Sequence, residues 1–440
     1  MVLPESAAGC IAALENAGYP CYAVGGCVRD ACLGLTPHDY DLCTAALPQT
    51  IRQVFADRQL VLAGEKHGTV GVVTEDGVIE ITTFRTEGGY QDSRHPDWVR
   101  FVDRIEDDLA RRDFTVNAMA YSPTRGFADP FGGREDLKKH ILRAVGDPST
   151  RFEEDALRIL RGVRFAVRFG LTVEENTMAA MVSTAPLMDH LARERVFEEL
   201  CKLLPLVSAA DLLQFTPILT QVLPELAPTV GFCQHNRHHA YDIFTHTAHV
   251  TAAVPADLTL RWAALLHDVG KVSTFSLDEA GQGHFLGHAK VSARLADAAL
   301  LRMKAPTALR QQVVLLIEKH MTLIVPERKT VRRWLSRLGA HTLEQLLALQ
   351  EADMGSKGTG IPKEMEQFTR IRELIAQIEA ENACLTIRDL AVNGHDLMAL
   401  GISGKEIGQT LQALLDHVLD ETLPNEKYAL LQAAAKEEPL

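Results

Sequence analysis

Residues 22–44 read YAVGGCVRDACLGLTPHDYDLCT, and this stretch decides what the front of the chain can be. A β-rich run, Tyr22-Ala23-Val24, ends on Gly25-Gly26; Arg29-Asp30 then open a helix, and Asp39-Tyr40-Asp41 begin a second strand. Residues i and i+2 of a strand share a face, so Asp39 and Asp41 present paired carboxylates. Two hard anionic ligands on one face suit Mg²⁺, which keeps further positions for phosphate oxygens. Gly25 and Gly26 let the backbone approach a phosphate more closely than a side chain would permit. Arg29 adds a charged donor beside them.

Working outward, the 440 residues suffice for two to four domains with real cores. A composition of 46% hydrophobic and 23% charged residues excludes a disordered or fibrous chain. The formal net charge of −13 argues against a wholly basic coat for nonspecific nucleic-acid binding. It hides local basic tracts: residues 301–350 hold nine Lys/Arg against three Asp/Glu, and Lys329, Arg332, Arg333 and Arg337 are expected to meet an RNA backbone. The eight cysteines form no CxxC pair, which reads as reduced thiols in a cytoplasmic protein. Neither a signal peptide nor a membrane span is expected.

Strand signals and turns alternate through residue 146. Gly68 to Val73 and Val78 to Phe84 read as strands joined at Glu75-Asp76-Gly77. Beyond Phe152 helical periodicity takes over. The expected organisation is an α/β head (1–146), a helical neck (147–205), a helical body (206–355) and a helical tail (356–440).

GGxVRDxxLG followed by the DxD triplet resembles the signature of class II tRNA nucleotidyltransferases, the CCA-adding enzymes, and of their relatives the bacterial poly(A) polymerases. The resemblance implies a polymerase-β-like nucleotidyltransferase head, Mg²⁺ on Asp39 and Asp41, and Glu80, in IEITTFR, as a third catalytic carboxylate. RRDFTVNA (111–118) resembles the family's ribose-recognising motif, which carries over to Arg112, Asp113 and Asn117, with Arg111 less certain. Asp129-Pro130-Phe131-Gly132-Gly133 resembles the hinge-like turn between head and neck.

Further on, Glu154-Asp155-Ala156-Leu157-Arg158 continues to Arg161, Arg164 and Arg168 with apolar residues between. On one helix these arginines share a side, with Asp155 beside Arg158. In the family's context the helix resembles a protein template for the incoming base. Cytosine and adenine each show an amine donor beside a ring-nitrogen acceptor, whereas guanine and uracil show the reverse. One carboxylate and one guanidinium, Asp155 and Arg158, would accept the first two and leave the others unpaired. Arg193 and Arg195 are expected to support the pair or touch the triphosphate.

The resemblance thus implies a two-metal in-line transfer, from ATP and CTP to the 3′ end of a tRNA, with pyrophosphate released. The stretch RTEGGYQDSRHPDWVRF resembles the flexible loop of full CCA-adding enzymes, with Tyr90, Arg94 and His95 placed to reposition the base site. GEKHGTVGVV lacks the basic run expected of a poly(A) polymerase. Poly(A) synthesis and A-only or CC-only addition are the alternatives.

Histidines crowd into residues 235–320. YDIFTHTAHV supplies His246, LLHDVGK supplies His267 and Asp268, and His288, His320 and Asp353 follow. This order resembles the HD phosphohydrolase superfamily and implies a metal site. Imidazole with carboxylate suits Mn, Fe, Co, Ni or Zn, and extra histidines can complete a binuclear centre. His249 is placed to exchange roles with His246, while His235, His238 and His239 read as a loop. A reading of another class makes the head a noncatalytic RNA-binding module fused to an active HD phosphohydrolase.

Overall fold

A computed structural model describes residues 1–88, 98–236, 240–358 and 365–436. Tyr90, Arg94 and His95, and likewise His238 and His239, lie outside these residues. The chain forms two compact units, residues 1–227 with 302–304, and residues 228–301 with 305–440.

The first unit opens with α1 (Glu5–Asn16), followed by β1 (Cys21–Val24), α2 (Gly26–Cys32), β2 (Leu42–Thr44), α3 (Pro48–Val54), β3 (Leu60–Val61), β4 (Thr69–Thr74) and β5 (Gly77–Thr83). A hairpin of β6 (Arg85–Gly88) and β7 (Trp98–Phe101) flanks the 89–97 stretch. Then come α4 (Ile105–Ala110), β8 (Ala120–Ser122), β9 (Gly126–Ala128) and α5 (Gly133–Lys138). The seven-stranded sheet runs β3-β4-β5-β2-β1-β8-β9. Only β2 and β5 pair in parallel, so the sheet is mixed. Tyr22, Val24, Cys43, Phe84, Leu109 and Ala120 are buried together under it.

The DxD triplet precedes its strand instead of starting it, because β2 begins at Leu42. Asp41 still extends the ladder by one bond, its carbonyl accepting from the Val24 amide at 3.0 Å. Asp129 accepts from the amides of Gly133 and Arg134, and a Cβ on Gly133 would lie 2.2 Å from the Thr115 carbonyl oxygen. The DPFGG turn is therefore pinned against the head at its glycine end.

Apart from a short parallel pair, β10 (Ile141–Leu142) with β11 (Thr172–Val173), the rest of this unit is helical: α6 (Pro148–Glu154), α7 (Leu157–Phe169), α8 (Glu175–Thr184), α9 (Arg193–Leu203), α10 (Ala209–Gln214) and α11 (Thr216–Val222). Residues 154–168 are not one helix. Asp155, at φ −147° and ψ 100°, is an extended link between α6 and α7. Gly162 lets α7 come close to Phe114, whose ring would lie 2.8 Å from a Cβ there. That approach sets the polar side of α7 against residues 111–117.

The second unit holds α12 (Ile243–Ala253), α13 (Leu258–Leu266), α14 (His288–Arg302), α15 (Thr307–Lys319) and α16 (Arg328–Gly355), the last kinked at Gly339. The tail adds α17 (Glu366–Ala380), α18 (Gly394–Met398), α19 (Lys405–Leu419) and α20 (Lys427–Lys436). Leu397, Leu414, Leu415, Val418 and Leu430 form a core within it. Among the described residues no helix is long and apolar enough to cross a membrane.

The basic tract at 328–333 is not an open patch. Arg333 and Lys329 pair with Asp420, and Arg328 and Arg332 with Glu421. The RNA-backbone expectation for Lys329, Arg332 and Arg333 thus falls on side chains that also pair within the chain, while Lys329, Arg333 and Arg337 are exposed and Arg337 has no ion pair among the described residues.

Candidate functional sites

A pocket of about 490 Å³ in the first unit is lined by Gly25, Gly26, Arg29, Asp41, Arg111, Arg112, Asp113, Asn117, Asp155, Arg158, Arg161, Arg164, Arg168 and Arg195. Motifs separated by up to 170 positions thus share one cavity. Gly25 adopts φ +75°, and a Cβ there would lie 2.9 Å from an Arg112 nitrogen, so both backbone and space call for glycine.

Asp39, Asp41 and Glu80 are exposed, and Asp41 alone lines the pocket. Leu42 pairs in parallel with Ile81, which makes Asp41 and Glu80 neighbours one step beyond that ladder. The Asp41 carboxyl is pushed up, first by the protein packed against it, then by the Glu80 and Asp39 charges, with Arg112 opposing. Three carboxylates gathered this closely are a donor set suited to a hard divalent cation.

The ribose-motif residues are interlocked. Asp113 Oδ1 accepts from the Phe114 amide (2.8 Å) and from Asn117 Nδ2 (3.0 Å), while Oδ2 accepts both Nε (2.9 Å) and Nη2 (2.6 Å) of Arg161. Burial opposes the Asp113 charge, but Arg161 and Asn117 prevail and hold its carboxyl down to about 2. Asn117 Oδ1 accepts from Arg29 Nη1 at 2.6 Å. Arg111 and Arg112 both lean on the fully buried Asp108, which accepts Arg111 Nη2 at 2.8 Å and Arg112 Nη2 at 3.2 Å. Arg111 therefore belongs to the pocket with its neighbour.

Asp155 and Arg158 line the same cavity but do not bond each other. Asp155 Oδ1 accepts from the Leu157 amide, and Oδ2 from Arg195 Nη2 at 3.1 Å. Arg158 donates to Glu154 at 2.6 Å and to the Arg111 carbonyl at 3.1 Å. Arg164 pairs with buried Glu199 at 2.7 Å. Arg193 turns away from the cavity to Asp189. Asp108, Glu154 and Glu199 had no assigned role in the sequence. Each holds an arginine that the reading did name, and only a fold shows which carboxylate meets which guanidinium.

In the second unit the six HD-type residues converge. His246 lies on α12, His267 caps the C-terminus of α13 with Asp268 next, His288 starts α14, His320 caps α15, and Asp353 sits in the last turn of α16. His246, His267 and Asp268 bring ligand atoms within 4.8 Å of one another, as do Asp268, His288 and His320. Asp353 Oδ1 is 2.9 Å from His246 Nε2.

The ring orientations are fixed from behind. Nδ1 of His246, His267, His288 and His320 faces the carbonyl of Ser356, Ala264, Phe285 and Ile317, respectively, at 3.2, 2.7, 2.8 and 2.6 Å. A carbonyl only accepts, so each Nδ1 carries a proton and each ring turns its Nε2 inward. His288 Nε2 and His320 Nε2 then stand 3.3 Å apart, with Asp268 Oδ1 also 3.3 Å from His288 Nε2. His267 Nε2 and both Asp268 oxygens are buried with no hydrogen bond of acceptable geometry, although Lys271 Nζ lies 2.7 Å from Oδ2. Burial first, then the neighbouring His267, pushes His320 down to about 4. This is a donor set for borderline transition metals, with Asp268 common to two ligand groups. His249 does not exchange with His246; it stacks on Tyr241 at 4.8 Å.

Comparison with known proteins bears on both units. Residues 21–143 match the Poly A polymerase head domain, 170–229 the probable RNA and SrmB-binding site of polymerase A, and 274–434 the putative domain 2 of tRNA nucleotidyltransferases. A CCA-adding enzyme of Levilactobacillus brevis is 36% identical over 98% of this chain and 97% of its own length. One from Lactiplantibacillus plantarum is 33% identical over 98% and 95%. The Bacillus stearothermophilus CCA-adding enzyme, solved in complex with CTP, superposes with a TM-score of 0.70 at 29% identity, covering 99% of this chain and 97% of that one. An α/β head with a mixed sheet, a largely helical remainder and near full-length likeness place this chain in the family of CCA-adding tRNA nucleotidyltransferases.

Proposed function

We propose that the protein adds CCA to the 3′ end of tRNA in the cytoplasm, taking cytidylate and adenylate from CTP and ATP. The observation that carries the reading is the 490 Å³ pocket in which the double glycine, Asp41, the ribose motif and the arginines of α7 meet. Gly25 and Gly26 receive the triphosphate against bare backbone. Arg29, Arg112 and Arg164 add positive charge, and Asn117 with Asp113 tests the ribose. Asp155 accepts from the exocyclic amine of C or A, and Arg158, held by Glu154, donates to the ring nitrogen. Mg²⁺ held by Asp39 and Asp41, with Glu80 beside them, would lower the pKa of the RNA 3′-OH and neutralise the departing pyrophosphate. Incubating tRNA that lacks its last three nucleotides with one labelled nucleotide at a time tests this. CTP alone should add two residues, while ATP, GTP and UTP alone should add none; long A-tails from ATP would transfer the chain to the poly(A) polymerases.

We further infer that the second unit is an HD-type phosphohydrolase centre, with His246, His267, Asp268, His288, His320 and Asp353 as ligands. The clustering of ligand atoms from Asp268, His288 and His320 within 4.8 Å of one another supports it, since imidazole with carboxylate this close together suits a transition metal. A transition metal there would activate water for attack on a phosphate ester. Metal-dependent release of phosphate from a 2′-phosphate, or opening of a 2′,3′-cyclic phosphate, is the test. No turnover with any of Mn, Co, Ni or Zn would remove the activity.

A further inference from the structure

The apolar residues between the arginines of α7 are not merely the buried side of a helix. Phe165 and Phe169 stack at 6.2 Å with planes 27° apart. Arg29 lies over both, 5.3 Å from the Phe165 centroid and 4.3 Å from that of Phe169. Arg161 (5.2 Å) and Arg164 (4.5 Å) also lie over Phe165, and Arg168 (5.2 Å) over Phe169. Two rings therefore seat four guanidiniums, one from the double-glycine helix and three from α7, all lining the nucleotide pocket.

Three of the four also have a carboxylate: Arg29 has Asp30, Arg161 has Asp113 and Arg164 has Glu199. Arg168 has no ion pair among the described residues; burial first, with the Arg168 charge adding to it and Asp30 opposing, holds the Arg29 guanidinium below its usual value. Phe169 touches both of these like charges. A π face attracts a cation without neutralising it, unlike a carboxylate, which would compete with an incoming anion. The ring can hold Arg168, which meets no carboxylate among the described residues, close to the Asp30-paired Arg29 and still open to phosphate.

We propose that Phe169, backed by Phe165, is a positioning residue for the triphosphate, seating Arg29 and Arg168 so that both address one polyanion. The proposal rests on the nucleotide-pocket reading above. It assigns the ring pair to the phosphates and not to the base, so its effect must be the same for CTP and ATP.

The test measures equilibrium binding of CTP, ATP and inorganic pyrophosphate to the full-length protein, its Phe169→Leu and Phe169→Tyr variants, and Arg168→Gln alone and combined with Phe169→Leu. Phe169→Leu should weaken all three ligands about fivefold to tenfold, the order expected of one or two partly exposed cation–π contacts. KM for CTP and ATP should rise in parallel with kcat little changed. Phe169→Tyr should recover wild-type binding within about twofold, because it keeps the π face. The double variant should be little weaker than either single one, because ring and arginine act as a unit. Wild-type binding by Phe169→Leu, a Tyr variant as weak as Leu, a loss confined to one base, or additive effects of the two substitutions would each overturn the proposal. A wild-type protein that binds nucleotides but transfers none would count against CCA addition, and the binding comparison would still judge the ring pair.

Discussion

His288 and His320 meet through their Nε2 atoms at 3.3 Å while each Nδ1 is bonded to a backbone carbonyl three residues earlier, Phe285 and Ile317. With each Nδ1 so committed, both Nε2 atoms cluster with an Asp268 oxygen, and imidazole with carboxylate this close together is a donor set for a transition metal. Purified protein should therefore carry a transition metal, and His320→Ala should lose it. Elemental analysis reads this directly. CCA addition should persist in the variant, because the nucleotide pocket lies in the other unit. A wild-type protein with no metal after reconstitution would remove the HD reading.

Asp41→Asn should reduce nucleotide addition at least a thousandfold, whereas the far-UV circular dichroism and melting temperature should stay near wild type. The Asp41 carboxyl is exposed and crowded by Glu80 and Asp39, so neutralising it relieves repulsion and removes no packing. Substantial residual transfer would move the metal elsewhere.

Asp113 gives a stability prediction with a defined direction. Its carboxyl is held down to about 2 in the fold, burial opposing but Arg161 and Asn117 prevailing, against about 3.9 in the unfolded chain. A depressed folded value means that the stabilisation is fully present above the unfolded pKa and lost as pH falls toward 2. The contribution at neutral pH is about 2–3 kcal/mol. Asp113→Asn should flatten the pH dependence of urea unfolding below pH 4 and weaken nucleotide binding. An unchanged acid limb would contradict the assigned pairing.

Glu154→Gln should loosen base selection more than it weakens the triphosphate. Arg158 depends on Glu154 for its aim, at 2.6 Å, and its other side-chain bonds are to the carbonyls of Arg111 and Arg151. We expect misincorporation of U and G to rise about tenfold, the cost of one charged hydrogen bond, with pyrophosphate affinity held within about twofold. Selectivity unchanged from wild type would leave Glu154 without this role.

Much of the head could be read from residue order because its signals are local. The Gly25-Gly26 turn, the strands on either side of Gly77 and the arginine spacing on α7 each lie within a few positions. The HD-type residues lie close together for a related reason: four of the six stand at or just beyond helix ends, where the chain turns inward. The partnerships were hidden. Asp155 and Arg158 look like neighbours on one helix, but the chain extends at Asp155, which turns to Arg195 while Arg158 turns to Glu154. Nothing in the basic tract at 328–333 announces that Asp420 and Glu421, about ninety residues later, fold onto it. Charge pairing between distant segments is a property of tertiary structure, and local pattern does not contain it.

The most direct test of the central claim is to supply CTP and ATP together to tRNA truncated before its CCA, and then to sequence the product ends. The account predicts C, C, A and then arrest, with no fourth nucleotide at long incubation. Products that end elsewhere, grow into A-tails or contain G or U at appreciable frequency would contradict it.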